Sequence, residues 1–174
     1  MKTLFILRHA KSSWDDPELK DFVRPLAERG LSDVPVMVQR FKSRQSVDNE
    51  SNCDCPVACI VCSPAVRTKT TAKMFAEQLG YPMEEISSNP ELYFAGSNMF
   101  LKAASLVDET NDTAMLVGHN PAITEFVNAL TGESIDNIPT CGLVEIQLPI
   151  DNWSEIEMGT GTLVDFDYPK KKHG

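Results

Sequence analysis

Three short apolar runs, residues 4–7, 57–62 and 113–117, constrain this chain more than any other feature. Each has the length and composition of a buried strand, and each is followed by polar residues and then by a segment with helical spacing. Such alternation of strand and helix builds a parallel sheet covered on both faces. The expected architecture is therefore α/β, a three-layer α/β/α sandwich with a mostly parallel sheet. Neither a repeat nor a linker interrupts residues 1–174, which read as a single domain.

Between these runs the pattern can be followed in order. Residues 11–17 and 21–26 form a polar loop punctuated by Pro17 and Pro25. Ser32 or Asp33 is placed to cap a helix over residues 36–42, with Pro35 in its first turn. Residues 45–56 lack periodicity and read as an exposed loop. Ser63-Pro64 has the hydroxyl and proline of a helix start, and Val66, Thr70, Met74, Phe75 and Leu79 define one face of that helix up to Gly80. Residues 84–86 suggest a short strand, 89–93 a loop and 97–107 a helix. Asn120 and Pro121 begin another helix with Ile123, Phe126, Val127 and Leu130 on its buried side. Residues 142–148 and 162–166 alternate like half-buried strands, the last at a sheet edge. The tail from Lys170 to Gly174 reads as a solvated end.

A formal net charge of −9 argues against a nucleic-acid or anionic-membrane surface, which would need clustered Lys and Arg. No apolar run approaches the length of a membrane helix, and no signal-peptide pattern opens the sequence, so a cytoplasmic location is expected. Five cysteines, Cys53, Cys55, Cys59, Cys62 and Cys141, are an odd number and read as reduced thiols. Cys59 and Cys62 are spaced like a chelating pair. On a strand, however, residues three apart face opposite sides, so no metal site is expected there.

Two of the three histidines follow directly on strand ends: His9 after residues 4–7, with Arg8 between, and His119 after 113–117 and Gly118. Arg67 lies at the start of the helix that follows the middle strand. Parallel strands bring these ends to one edge of the sheet, where α/β proteins bind ligands. Guanidinium forks and a helix N-terminus match the oxygens of a phosphate. An imidazole adds a nucleophile that is neutral near physiological pH. The arginines could instead pair with the surplus of acidic side chains, but that alternative does not account for their placement.

Leu-Arg-His-Ala at 7–10, Ser-Pro-Ala-Val-Arg-Thr at 63–68 and Val-Gly-His-Asn-Pro at 117–121 resemble the three signatures of the histidine phosphatase superfamily, with Ala10 in place of the usual glycine. His-Ala-Lys-Ser-Ser-Trp at 9–14, Asp21, Arg24-Pro25-Leu26, Arg29-Gly30, Leu92-Tyr93 and Tyr168-Pro169-Lys170 resemble its SixA branch of phosphohistidine phosphatases. This resemblance implies that His9 is the nucleophile and that Arg8, Arg67 and His119 hold the phosphoryl oxygens. Glu91 and Asp21 are the two candidates for proton donor, and Arg24 is expected to brace the first loop. It further implies a phosphatase that needs no metal or other cofactor, without a large cap insertion, acting on a phosphorylated substrate. A phosphohistidine-bearing protein is the favoured substrate. A small-molecule phosphatase and a non-catalytic phosphate-binding module are the alternatives.

Overall fold

The computed structural model describes residues 1–48, 55–94 and 96–173. Six strands form one sheet: β1 (Lys2–Arg8), β2 (Ile60–Cys62), β3 (Ser87–Ser88), β4 (Thr113–Gly118), β5 (Leu143–Leu148) and β6 (Thr162–Asp167). Their spatial order is β3-β2-β4-β1-β5-β6. The pairs β3–β2, β2–β4 and β4–β1 are parallel, whereas β5 runs antiparallel to both β1 and β6. This is the expected mostly parallel sheet, with two pairings of opposite sense at one side.

Among the described residues four helices cover it: α1 (Glu28–Asp48), α2 (Val66–Leu79), α3 (Ser97–Ser105) and α4 (Ala122–Thr131). Because side chains alternate along β1, its residues divide between two cores. Phe5 and Leu7 pack with Met37, Phe41, Phe75 and Leu79 of α1 and α2. Leu4 and Ile6 pack with Phe100, Phe126, Leu130 and the fully buried Trp153 on the other face. Cys59 packs against this second core and Cys62 belongs to the first, so the two thiols do face opposite sides. Cys53 lies outside the described residues. No helix of the described residues is long and apolar enough to cross a membrane.

Several boundaries differ from the sequence expectations, each for a physical reason. Helix α1 starts at Glu28 rather than near residue 36, and Pro35 lies inside it, beyond the first turn. Its start is fixed by docking on the first loop, where Ala27 donates its N–H to the Lys11 carbonyl at 2.9 Å. A Cβ on Gly30 would fall 2.2 Å from that same carbonyl oxygen, so only glycine permits the approach. Ser32 donates to the Arg29 carbonyl and caps nothing. The helix also runs on to Asp48, through residues read as loop. Polar side chains hold this part: Arg44 pairs with Glu145 and, at 2.9 Å, with Asp165, while Gln45 donates to Glu145 at 3.2 Å. Apolar periodicity cannot register such contacts.

Residues 84–86 are not a strand. A 3₁₀ turn at Met83–Glu85 precedes β3, and another at Pro90–Leu92 lies in the expected loop, where the Asn89 side chain accepts the Glu91 N–H. The tail is not simply solvated. His173 contacts Asp167 at 2.9 Å and Arg40 donates to the carbonyls of Tyr168 and Pro169, tying residues 168–173 to α1 and β6. Gly174 lies outside the described residues.

Candidate active site

The carboxyl ends of β1 and β4 are adjacent because Arg8 is in register with Gly118. His9 continues β1 and donates its backbone N–H to the Gly118 carbonyl at 3.2 Å, while its own carbonyl accepts from Cys141 at 3.0 Å. The chain at His9 is thus clamped between the end of β4 and the approach to β5. Gly118 is required at this point, since a Cβ would lie 2.4 Å from the Phe100 ring. Ala10, where the superfamily usually has glycine, is fully buried in the α1–α2 core and does not have positive φ. A methyl group there costs no backbone strain, and the Ala10 N–H is taken by the Thr71 hydroxyl at 3.0 Å.

His9 is 7 % exposed, and its Nδ1 lies 2.7 Å from the Ala10 carbonyl oxygen. A carbonyl only accepts, so in the neutral ring the proton is on Nδ1 and the lone pair on Nε2. Burial pushes the His9 pKa down to about 3; His119, Arg67 and Arg8 add to the effect against the opposing Ala10 bond. The ring is therefore neutral at physiological pH and carries an available nucleophilic nitrogen.

His119 stands beside it, with ring centroids 5.3 Å apart. Burial and then the positive charge of Arg67 lower its pKa to about 4. Its Nε2 lies 2.8 Å from the hydroxyl of Ser63. This contact explains a second departure from expectation. Ser63 does not cap α2, which begins three residues later at Val66 with Ala65 as N-cap. Helix α4 likewise begins at Ala122, and the Asn120 side chain accepts from the Thr124 hydroxyl at 2.7 Å.

The cations surround these rings. Arg67, 6 % exposed in the first turn of α2, donates to the Asp21 carbonyl at 2.7 Å and to its carboxylate at 3.0 Å. Arg24, also buried, donates to the same carboxylate at 3.1 Å and to the Ser12 hydroxyl at 2.7 Å, and it stacks under Trp14 at 3.6 Å. It braces the first loop, as its neighbour Pro25 suggested. Arg8 donates to the Ile138 carbonyl at 2.8 Å and has no carboxylate partner among the described residues. Four buried nitrogens of this group, Arg8 Nε, Arg24 Nε, Arg67 Nε and His119 Nδ1, have no hydrogen-bond partner among the described residues. Buried polar groups are nearly always paired, so four left open at one site, three of them guanidinium N–H groups, mark a place for a ligand rich in acceptors.

The two carboxylates expected as proton donors are placed otherwise. Asp21 accepts from Arg24, Arg67 and the Tyr93 hydroxyl, the last at 2.7 Å. The Tyr93 bond and the two guanidiniums outweigh desolvation and lower its pKa to about 2, so it holds no proton near neutrality. Glu91 pairs with Lys102 on α3 at 3.1 Å, with both side chains about half exposed. It does not line the adjoining cavity of about 320 Å³, whose walls include Asp21, Arg67, Tyr93, Phe94 and His119. Ser63 and Tyr93 are the polar residues that sequence reasoning missed here. Ser63 looked like an ordinary helix cap, and Tyr93 carried no signal beyond its resemblance to the SixA branch.

No protein-family model matches the sequence. It is 30 % identical over 162 residues to an uncharacterized chloroplastic protein of Arabidopsis thaliana, over 88 % of this chain and 70 % of that one. The fold superimposes on the candidate phosphohistidine phosphatase SixA of Agrobacterium tumefaciens with a TM-score of 0.77 and 26 % identity, covering 97 % of this chain and 98 % of the other. A protein histidine phosphatase SixA complexed with tungstate gives the same TM-score at 22 % identity, covering 96 % and 97 %. These likenesses define an α/β chain with the fold of the SixA phosphatases. The chain belongs to the histidine phosphatase superfamily, with SixA phosphohistidine phosphatases among its structural counterparts.

Proposed function

We propose that the protein hydrolyses phosphohistidine on other proteins through a covalent phospho-His9 intermediate. The observation that carries this reading is the 2.7 Å contact between His9 Nδ1 and the Ala10 carbonyl, which leaves Nε2 unprotonated beside His119. Nε2 attacks phosphorus as the bond from phosphorus to the substrate imidazole breaks. Arg8 and Arg67 neutralise charge on the equatorial oxygens and His119 stands beside them as a neutral hydrogen-bonding group, the work that a metal ion does elsewhere. A substrate imidazole already protonated on its far nitrogen departs neutral, so no general acid is needed, consistent with Asp21 and Glu91 being engaged elsewhere. Water then attacks phosphorus, the Nε2–phosphorus bond breaks, and inorganic phosphate leaves. Asp21 serves in this scheme to orient Arg67.

A protein substrate is favoured because the cavity is open and rimmed by exposed rings. Phe94 is 88 % exposed, and Phe22 packs edge-on against Tyr93 with centroids 5.1 Å apart. Between β3 and β4 the chain contributes one 3₁₀ turn and α3, in keeping with one domain over residues 1–174 that carries no large cap. The buried thiols Cys62 and Cys141 suit a reducing, cytoplasmic setting.

The test is hydrolysis of a phosphohistidine-bearing protein, an aryl phosphate and a panel of sugar and acyl phosphates by wild type and His9→Ala. The expected result is faster turnover of protein phosphohistidine, a trapped phosphoryl group that is acid-labile, and no turnover in the variant. Unchanged activity in His9→Ala removes the nucleophile, and a clear preference for a metabolite favours a small-molecule phosphatase. Phosphate binding without turnover of any substrate favours the non-catalytic module.

A further inference from the structure

We propose that Ser63 is a positioning residue that donates its hydroxyl proton to His119 Nε2, fixing His119 as the Nδ1–H tautomer so that Nδ1–H serves as a donor to the phosphoryl group. The inference rests on the phosphatase reading for its functional consequence, but the tautomer itself does not.

Hydrogen-bond accounting distinguishes the two possible directions of the 2.8 Å Ser63–His119 contact. Ser63 is fully buried, and its oxygen also receives the Ala65 N–H at 3.5 Å. If His119 donated, the Ser63 O–H would need an acceptor, and none lies in hydrogen-bond range among the described residues. The lone pair on the buried His119 Nδ1 would also stay unmet. If Ser63 donates, its proton is satisfied and a single group remains open, the Nδ1–H. Each unmet buried polar group costs about 1–3 kcal/mol, so the second arrangement is the stable one. It also makes the open atom of His119 a donor, the same kind of group as the open Nε–H of Arg8 and Arg67.

Two imidazoles in the same tautomer then take opposite roles. His9 spends its Nδ1–H on the Ala10 carbonyl and keeps Nε2 as a nucleophile. His119 has its Nε2 engaged by Ser63 and keeps Nδ1–H as a donor. The burial that lowers both pKa values ensures that neither ring gains a second proton at neutral pH.

Nitrogen-15 spectra of histidine-labelled protein test this directly, because the chain has only three histidines and the two tautomers have distinct shift patterns. Wild-type His119 is expected as the Nδ1–H form at pH 7, and Ser63→Ala is expected to lose that preference. Ser63→Thr keeps the hydroxyl and should retain it. On an aryl phosphate, Ser63→Ala should lower kcat about tenfold or more with little change in KM, and Ser63→Thr should recover much of it. An Nε2–H tautomer in wild type overturns the proposal even if Ser63→Ala does not fold. So does a Ser63→Ala protein with wild-type kcat. An Nδ1–H tautomer in a protein without phosphatase activity would sustain the positioning role and overturn the functional reading instead.

Discussion

Two regions of this molecule concentrate buried and half-buried charge, and they balance it differently. Where α1 meets β5 and β6, cations and carboxylates are matched: Arg44 with Glu145 and Asp165, Arg40 with Asp167. At the ends of β1 and β4, two buried guanidiniums share the single carboxylate of Asp21, and Arg8 meets only a carbonyl. Among the described residues, four of the five buried side-chain polar atoms without a partner belong to this second region, on Arg8, Arg24, Arg67 and His119. A matched cluster holds elements together. A cluster short of anion, built into the same fold, is prepared for one that arrives.

The contrast is broken most severely by removing a cation from the unmatched cluster. Arg67→Ala is expected to lower kcat/KM on an aryl phosphate by about 10²–10³-fold, the usual cost of deleting a donor to developing charge. Lysine should not restore it, since a single ammonium cannot span the Asp21 carbonyl and carboxylate and still face phosphate. Steady-state kinetics with circular dichroism to check folding provide the measurement. A loss below tenfold would put Arg67 among the structural cations.

Acid should distinguish the two regions next. His9 and His119 have folded-state pKa values lowered to about 3 and about 4, so the unfolded chain binds more protons than the folded one below the ordinary histidine pKa. Their contribution is complete above about pH 6.5 and is lost as pH falls toward those values, at roughly 1.4 kcal/mol per pH unit for each ring. Asp21, lowered to about 2, contributes above the ordinary aspartate pKa, and its share is lost only as pH falls from there toward 2. Urea titrations from pH 7 to pH 4 should therefore show stability falling first through the site histidines. In the His9→Ala variant the slope should be about half as steep. An identical slope would mean that His9 is not buried in its neutral form.

Within the matched cluster, Arg44→Ala leaves Glu145, whose pKa burial already raises, without its cation. Both partners are less than two-fifths exposed, so a loss of about 1–3 kcal/mol of stability is expected in urea unfolding, with kcat/KM unchanged. A parallel fall in kcat/KM would show that the clusters are coupled across the α1–α2 core.

These clusters also differ in how far the sequence revealed them. Arg8, His9, Arg67 and His119 stand at strand ends or a helix start, so topology alone brings them to one edge, and their positions could be read from apolar runs and polar interruptions. Glu145 and Asp165 can be assigned to strands, but their partner Arg44 lies past the apolar face of residues 36–42, just before the segment 45–56 that has no periodicity, so the sequence pattern stops short of the end of α1. Side-chain choices inside the site were hidden for a related reason. Ser63 had the local pattern of a helix cap, and a tertiary contact with His119 took its hydroxyl instead. The pull of Tyr93 on Asp21 spans residues far apart in the chain. Long-range polar pairing leaves no periodic trace.

The smallest expected effect tests the remaining carboxylate. Glu91 is one of the two carboxylates expected to donate a proton, yet its side chain is turned to Lys102 and absent from the cavity wall. Because that ion pair is half exposed, it contributes well under about 1 kcal/mol. Glu91→Gln should therefore change kcat on protein phosphohistidine by less than about twofold, whereas a true general acid is worth about 10²–10⁴-fold. Alkyl phosphates sharpen the comparison, because an alkoxide leaves poorly without a proton. If Glu91→Gln were silent on phosphohistidine but cost a hundredfold on an alkyl phosphate, Glu91 would have to swing from Lys102 into the cavity for the harder leaving group. Equal insensitivity on both substrates would instead mean that the site has no carboxylic acid donor and depends on leaving groups that carry their own proton.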